Sequence, residues 1–177
     1  MTAAEVYDLT THGGATEFAC LIQACESLGP YCLIDDMAVN CYVEPVYTLA
    51  AGLVVAASAL SPLASYLEGL GFRTETHPHA VNAQGPESDL RIQFTTDGRY
   101  QEFLARAETH TVLGIAANVA CLEDVTRGRL WAYADARRRL SKHKKDELDL
   151  IRLGEKFPHS LPMYPAELRD LIQRGRG

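Results

Sequence analysis

Two short, unbroken apolar stretches constrain this chain more than any other feature: Tyr31-Cys32-Leu33-Ile34, and the Leu- and Val-rich segment from Tyr47 to Ala57. An apolar run of that length without alternation suits a strand buried inside a sheet. The longest apolar run, Leu49 to Leu60, falls short of the roughly 20 residues that a bilayer-crossing helix needs. It therefore reads as a buried strand running into a helix, with no membrane partner. Between the two stretches, Met37 to Tyr42 reads as a short helix that ends near Glu44-Pro45.

The rest of the chain supplies helices and further strands. Residues 1–15 read as an irregular lead-in ending at Gly13-Gly14, and Thr16 is placed to cap a helix through Leu28. Phe18, Leu21, Ile22, Cys25 and Leu28 recur at helical spacing there, and Gly29-Pro30 stops it. Ser61 and Pro62 suit the cap and first position of another helix, with Leu63, Tyr66, Leu67 and Leu70 on its inner face. Phe72 to His77 reads as a strand and Pro78 to Pro86 as a polar loop. Leu90, Ile92 and Phe94 alternate with Asp89, Arg91 and Gln93, the pattern of a strand with one buried face. Arg99 to Ala107 suits a short helix, and Thr111 to Val119 one or two short strands. From Leu122 the chain turns helical: through about Ala134, from Ser141 to about Phe157, and from Pro165 to Gln173. The expected organisation is a lead-in (1–15), an α/β (α+β) core with a mixed sheet flanked by helices (16–120), and a helical C-terminal part packed on it (121–177).

Composition narrows the function. A net charge of -6 argues against a broadly basic surface for duplex nucleic acid. Six of the seventeen lysines and arginines nevertheless fall between 137 and 145 (Arg137, Arg138, Arg139, Lys142, Lys144 and Lys145), a local candidate site for phosphate or RNA. The five cysteines are odd in number and form no C-x-x-C pair, which suits reduced core thiols of a cytoplasmic protein. No secretory leader pattern is visible among the first residues. His77 and His79 flank Pro78 without an evident third metal ligand, and Trp131 and Tyr133 read as core.

The segment Tyr31-Cys32-Leu33-Ile34-Asp35-Asp36-Met37-Ala38-Val39-Asn40, with Glu44-Pro45-Val46-Tyr47-Thr48-Leu49 after it, resembles the opening of the nucleotidyltransferase superfamily. It is most similar to the small bacterial AbiEii-type branch related to toxin–antitoxin pairs. Ser88 to Phe94 resembles that family's third-carboxylate strand. Leu122 to Ala132 is similar to the helix that normally carries a lysine at position 129, and Ser141 to Asp149 to its Lys-Asp-x-x-Asp helix. The resemblance spans residues 16–157 and implies a nucleotidyltransferase-like fold.

In that family a strand ends in Gly-Gly or Gly-Ser, and the next strand carries two carboxylates one residue apart. Period-two spacing points both to one face, where they hold magnesium against a nucleoside triphosphate. Here Ala50 and Gly52 stand at the carboxylate positions, and Asp35 and Asp36 at the glycine positions. By resemblance, Asp89 is the surviving catalytic and metal-binding carboxylate; in a second reading, Asp35 or Asp36 together with Asp89 forms a displaced metal site. Asp35, Asp36, Thr48, Arg129 and Lys145 are the nucleotide-binding residues. Active relatives transfer a nucleoside monophosphate to RNA or protein, and magnesium is the cofactor of whatever activity remains. The resemblance thus implies an inactive or impaired transferase, whose partners are a nucleoside triphosphate, an RNA or protein acceptor, and an antitoxin or a second copy of itself. The alternative is a nucleotide- or partner-binding module without catalysis.

Overall fold

The computed structural model describes residues 1–175. Its centre is one seven-stranded mixed sheet: β1 (Tyr31–Ile34), β2 (Ala50–Val55), β3 (Arg73–His77), β4 (Ala80–Gln84), β5 (Arg91–Thr95), β6 (Glu108–Val112) and β7 (Ile115–Val119), in the order β3-β4-β5-β2-β1-β7-β6. β1 runs antiparallel to β2, while β2–β5 and β1–β7 are parallel pairs. The two apolar stretches are thus the adjacent central strands, where neighbours on both edges and layers on both faces shield them from water.

Among the described residues, seven α-helices accompany the sheet: α1 (Ala3–Thr10), α2 (Gly14–Leu28), α3 (Asp35–Val39), α4 (Leu60–Gly69), α5 (Leu122–Ala134), α6 (Leu140–Lys156) and α7 (Ala166–Gly175). Cross-strand registry shows why one sheet face is a core. Val81, Phe94, Leu53 and Leu33 lie in one row across four strands, and all are buried. Phe18, Leu21 and Ile22 of α2 and Leu63 and Leu67 of α4 complete the same core. Burying a side chain of this size removes it from water at about 1.5–3 kcal/mol each, so this layer dominates the stability. A satellite core of Leu150, Leu161, Tyr164, Leu168 and Ile172 holds α6 and α7 together.

Several local expectations are corrected. The lead-in is helical: Thr2 and Glu5 form a reciprocal capping box that satisfies the first backbone donors of α1. Thr16 does not cap α2, which begins at Gly14; its backbone N–H and hydroxyl instead donate to the Asp8 carboxylate at 2.9 and 3.2 Å. Ser61 and Pro62 fall inside the first turn of α4, because a 3-10 turn at Ala57–Ala59 brings the helix start forward. The segment expected as a polar loop contains β4, whose polar residues Asn82 and Gln84 occupy the face away from the core. The short helix expected over Arg99 to Ala107 is present as a 3-10 helix, Gly98–Arg106. No helix among the described residues is long and apolar enough to cross a membrane.

Candidate nucleotide cleft

Opposite the apolar row, registry aligns two polar rows on the other face of the sheet. Arg73, Gln84, Arg91 and Ala50 form one; Glu75, Asn82, Gln93 and Gly52 form the next. These rows, Gly52 excepted, floor an open cleft of about 900 Å³, which Asp36, Tyr47 and Thr48 and, from α6, Lys142 and Lys145 also line. Ala50 contributes no polar atom to it. Arg91, two residues after Asp89, is the residue registered directly against Ala50.

Asp35 explains why Gly52 lacks a side chain. It follows Ile34, which pairs with Gly52, and adopts a left-handed backbone with φ of 63°. A non-glycine residue there costs about 1–2 kcal/mol, and aspartate is among the few that visit the region. The turn folds the Asp35 carboxylate back over Gly52. A Cβ added at residue 52 would sit 3.0 Å from Asp35 Cγ and closer still to Oδ2. Residue 35 therefore fills the room that a side chain at 52 would need. Burial pushes the Asp35 carboxyl above the ordinary carboxylate range, against the opposing pull of Arg129.

Asp36 faces the other way and is saturated with donors. Arg129 donates to its Oδ1 at 2.5 Å, Lys145 reaches the same oxygen, and the Thr48 hydroxyl donates to Oδ2 at 3.1 Å. Burial alone would raise its pKa, but the Arg129 guanidinium and the Lys145 ammonium outweigh it and hold the carboxyl below its usual value. Thr48 Oγ1 also accepts the Ala50 N–H at 3.1 Å, which ties the start of β2 to Asp36.

Arg129 is the hub of this network rather than a cleft residue. Its side chain is 4% exposed and enclosed by Asp36, Asp146 at 3.0 Å and Asp149 at 3.4 Å. Arg138 shares Asp146, and Arg152 donates to Asp149 at 3.2 Å. Asp89 lies apart as well. Its backbone N–H donates to the Thr11 carbonyl at 2.9 Å, its carboxylate pairs with His12 Nδ1 at 2.7 Å, and it is not among the residues lining the cleft. Of the residues singled out from sequence, Asp36, Thr48, Ala50, Lys142 and Lys145 line the cleft; Asp35 and Gly52 meet each other without lining it. Arg73, Gln84, Arg91 and Gln93 were not singled out as site residues, because only strand registry brings them together.

With this geometry in view, the chain matches solved structures over nearly its whole length. The antibiotic-resistance factor ANT(2'')-Ia in solution superposes with a TM-score of 0.55 at 13% identity, covering 90% of this chain and 91% of that one. The lincosamide antibiotic adenylyltransferase LnuA, bound to lincomycin, gives 0.53 at 10% identity, covering 79% and 96%. An antigenic nucleotidyltransferase-like protein from Paracoccidioides brasiliensis gives 0.54 at 16% identity, covering 90% and 85%. The fold is that of the nucleotidyltransferases. No protein-family model matches the sequence, and no curated protein matches it significantly.

A magnesium pair does not fit the residues that this nucleotidyltransferase fold presents. Ala50 offers no ligand atom, the space above Gly52 holds Asp35, and the Asp36 oxygens are taken by cations and a hydroxyl. Among the described residues, no group of three or more His, Cys, Asp or Glu side chains is placed to hold a metal ion. A hard dication needs about six oxygen ligands in near-octahedral order, which Asp35, packed over Gly52, and Asp36, already occupied by cations and a hydroxyl, do not organise.

Proposed function

We propose that this protein binds a nucleotide in the sheet-floored cleft and does not catalyse metal-dependent nucleotidyl transfer. The observation that carries the reading is the exchange at residues 35 and 52, where the Asp35 carboxylate fills the room left by a side-chain-free Gly52. Gly52→Asp alone would not rebuild a metal pair, since its carboxylate would collide with one already present. Lys145 and Thr48 remain on the cleft wall, where the resemblance places nucleotide contacts. By the same resemblance, an active relative would transfer a nucleoside monophosphate to a hydroxyl of RNA or protein. Membership of the toxin–antitoxin-related branch rests on residues 31–49 and carries the expectation of an antitoxin-like partner.

Two measurements on the intact chain test the reading. Calorimetric titration with ATP, GTP, CTP and UTP is expected to show saturable binding of at least one. Incubation of the same labelled nucleotides with magnesium and bulk RNA or protein is expected to show no transfer above background. Robust magnesium-dependent transfer would overturn the proposal, as would the absence of binding by all four nucleotides.

A further inference from the structure

The charge on the cleft floor is the reverse of what a metal site requires. Four cationic side chains line it (Arg73, Arg91, Lys142 and Lys145) against two acidic ones, Asp36 and Glu75, although the whole chain carries -6. Lys145 is committed to Asp36 and Asp149, and Glu75 pairs loosely with His77 at 3.7 Å. The side chains of Arg73, Arg91 and Lys142 make no hydrogen bond or ion pair among the described residues. Three unpaired cations converging on one concavity of an acidic protein repel one another unless an anion joins them.

We propose that Arg73, Arg91 and Lys142 form a phosphate-chain site that works without a metal ion, its ligand being an uncomplexed oligophosphate such as the triphosphate of a free nucleotide. The proposal rests on the nucleotide reading only for the nucleoside end of the ligand. Arg73 on β3 and Arg91 on β5 belong to one cross-strand row with the Gln84 amide between them. Their backbones are two strand spacings apart, about 10 Å. From that separation two guanidinium forks lean inward over a chain of phosphates, each able to bind it bidentately. Lys142, on α6, lines the same cleft and adds a point charge. Together they supply the positive charge that bound dications would otherwise bring, and they do so from β3, β5 and α6 rather than at the β1–α3 turn. That turn is unsuited to the task, because Asp35 and Asp36 occupy it.

The cleft favours a small polyanion over a nucleic-acid backbone. A long strand would need a continuing positive track, whereas Glu75 bounds one end of the floor and the protein as a whole is acidic.

The test uses the intact protein with EDTA, titrated with inorganic tripolyphosphate, ATP, adenosine and a single-stranded RNA oligomer. Tripolyphosphate and ATP are expected to bind, with affinity falling as salt is added. Added magnesium is expected to weaken both, because the metal neutralises the ligand before the arginines reach it. Arg73→Gln and Arg91→Gln, both exposed positions checked for unchanged circular dichroism, are each expected to lower affinity by about tenfold. Binding that requires magnesium, or that survives Arg73→Gln/Arg91→Gln/Lys142→Gln undiminished, overturns this inference while leaving nucleotide binding intact. Tripolyphosphate binding without binding of any nucleotide sinks the nucleotide reading and spares the phosphate site. RNA binding tighter than tripolyphosphate overturns the choice of ligand class.

Discussion

The packing of Asp35 over Gly52 is open to a direct thermodynamic test by a double-mutant cycle of Gly52→Ala and Asp35→Gly. A methyl group at residue 52 would meet Asp35 Cγ at 3.0 Å and Cβ at 3.2 Å, so the Asp35 side chain would have to shift to admit it. Overpacking of that kind costs about 1–3 kcal/mol. Asp35→Gly alone relieves the φ of 63° but loosens the unfolded chain, two effects of about 1 kcal/mol each and opposite sign. Its net effect should stay within about 1 kcal/mol of the wild type. In the Asp35→Gly background the methyl group has space, so the cost of Gly52→Ala should vanish and the coupling energy should be about 1–3 kcal/mol. Any intrinsic strand preference of alanine over glycine appears in both arms and cancels. Urea unfolding of the four proteins gives the cycle, and the Gly52→Ala melting point should fall by about 2–4 °C per kcal/mol lost. Additivity within about 0.5 kcal/mol would refute the exchange and with it the reason given for the missing ligand at residue 52.

Three further outcomes follow from the same geometry. Arg129→Met should destabilise by about 3–5 kcal/mol in urea unfolding, because it strands Asp36, Asp146 and Asp149 beside a neutral side chain; a loss under about 1 kcal/mol would mean that Arg138, Lys145 and Arg152 suffice. Asp35 and Asp36 should respond to pH with opposite sign: with Asp35 raised by burial, the wild type loses stability as pH climbs through its folded pKa, so Asp35→Asn gains on it with rising pH. With Asp36 depressed, its contribution is present above about pH 3.9 and lost as pH falls through the folded value, so the deficit of Asp36→Asn shrinks on acidification; parallel pH profiles for the two variants would contradict both assignments. Ala50→Asp/Gly52→Asp should gain magnesium affinity by calorimetry only when combined with Asp35→Gly, and equal gains without that third change would show that the Asp35 carboxylate gives way freely.

Much of the fold is legible in the sequence because it rests on one-dimensional patterns. β1 is an uninterrupted apolar tetrapeptide, and β5 alternates so regularly that Ile92 and Phe94 are buried while Arg91 and Gln93 face out. β4 is hidden for a physical reason. It is an interior strand of the sheet, but its cleft face is polar, so Asn82 and Gln84 between Pro78 and Pro86 imitate a loop. Helix α1 is missed because only Tyr7 of its residues is buried, and the capping box that secures it involves residues too close to the terminus to suggest one. For the site, the resemblance points to residues 35, 36, 48, 50, 52, 89, 129 and 145; of these Asp36, Thr48, Ala50 and Lys145 line one cleft, Asp35 packs over Gly52, and Arg129 lies buried behind Asp36. Asp89 follows the right motif but belongs to the α1–α2 junction, where Thr11 and His12 hold it. Arg73 and Arg91 carry no local signal at all, since their partnership exists only through the register of three strands.

Lys145 stands between two sets of neighbours. It lines the cleft, yet in the structure it is tied to Asp36 of α3 and to Asp149 of its own helix. An anion that draws this ammonium into the cleft takes it from Asp36, leaving that carboxylate to Arg129 and Thr48. Ligand occupancy and the seating of α6 against α3 are therefore linked quantities: part of the free energy of association is absorbed in loosening a tie between these two helices. Backbone amides around residues 36 and 145 should thus exchange hydrogen faster in the complex than in the free protein, the reverse of the protection that a bound ligand ordinarily confers.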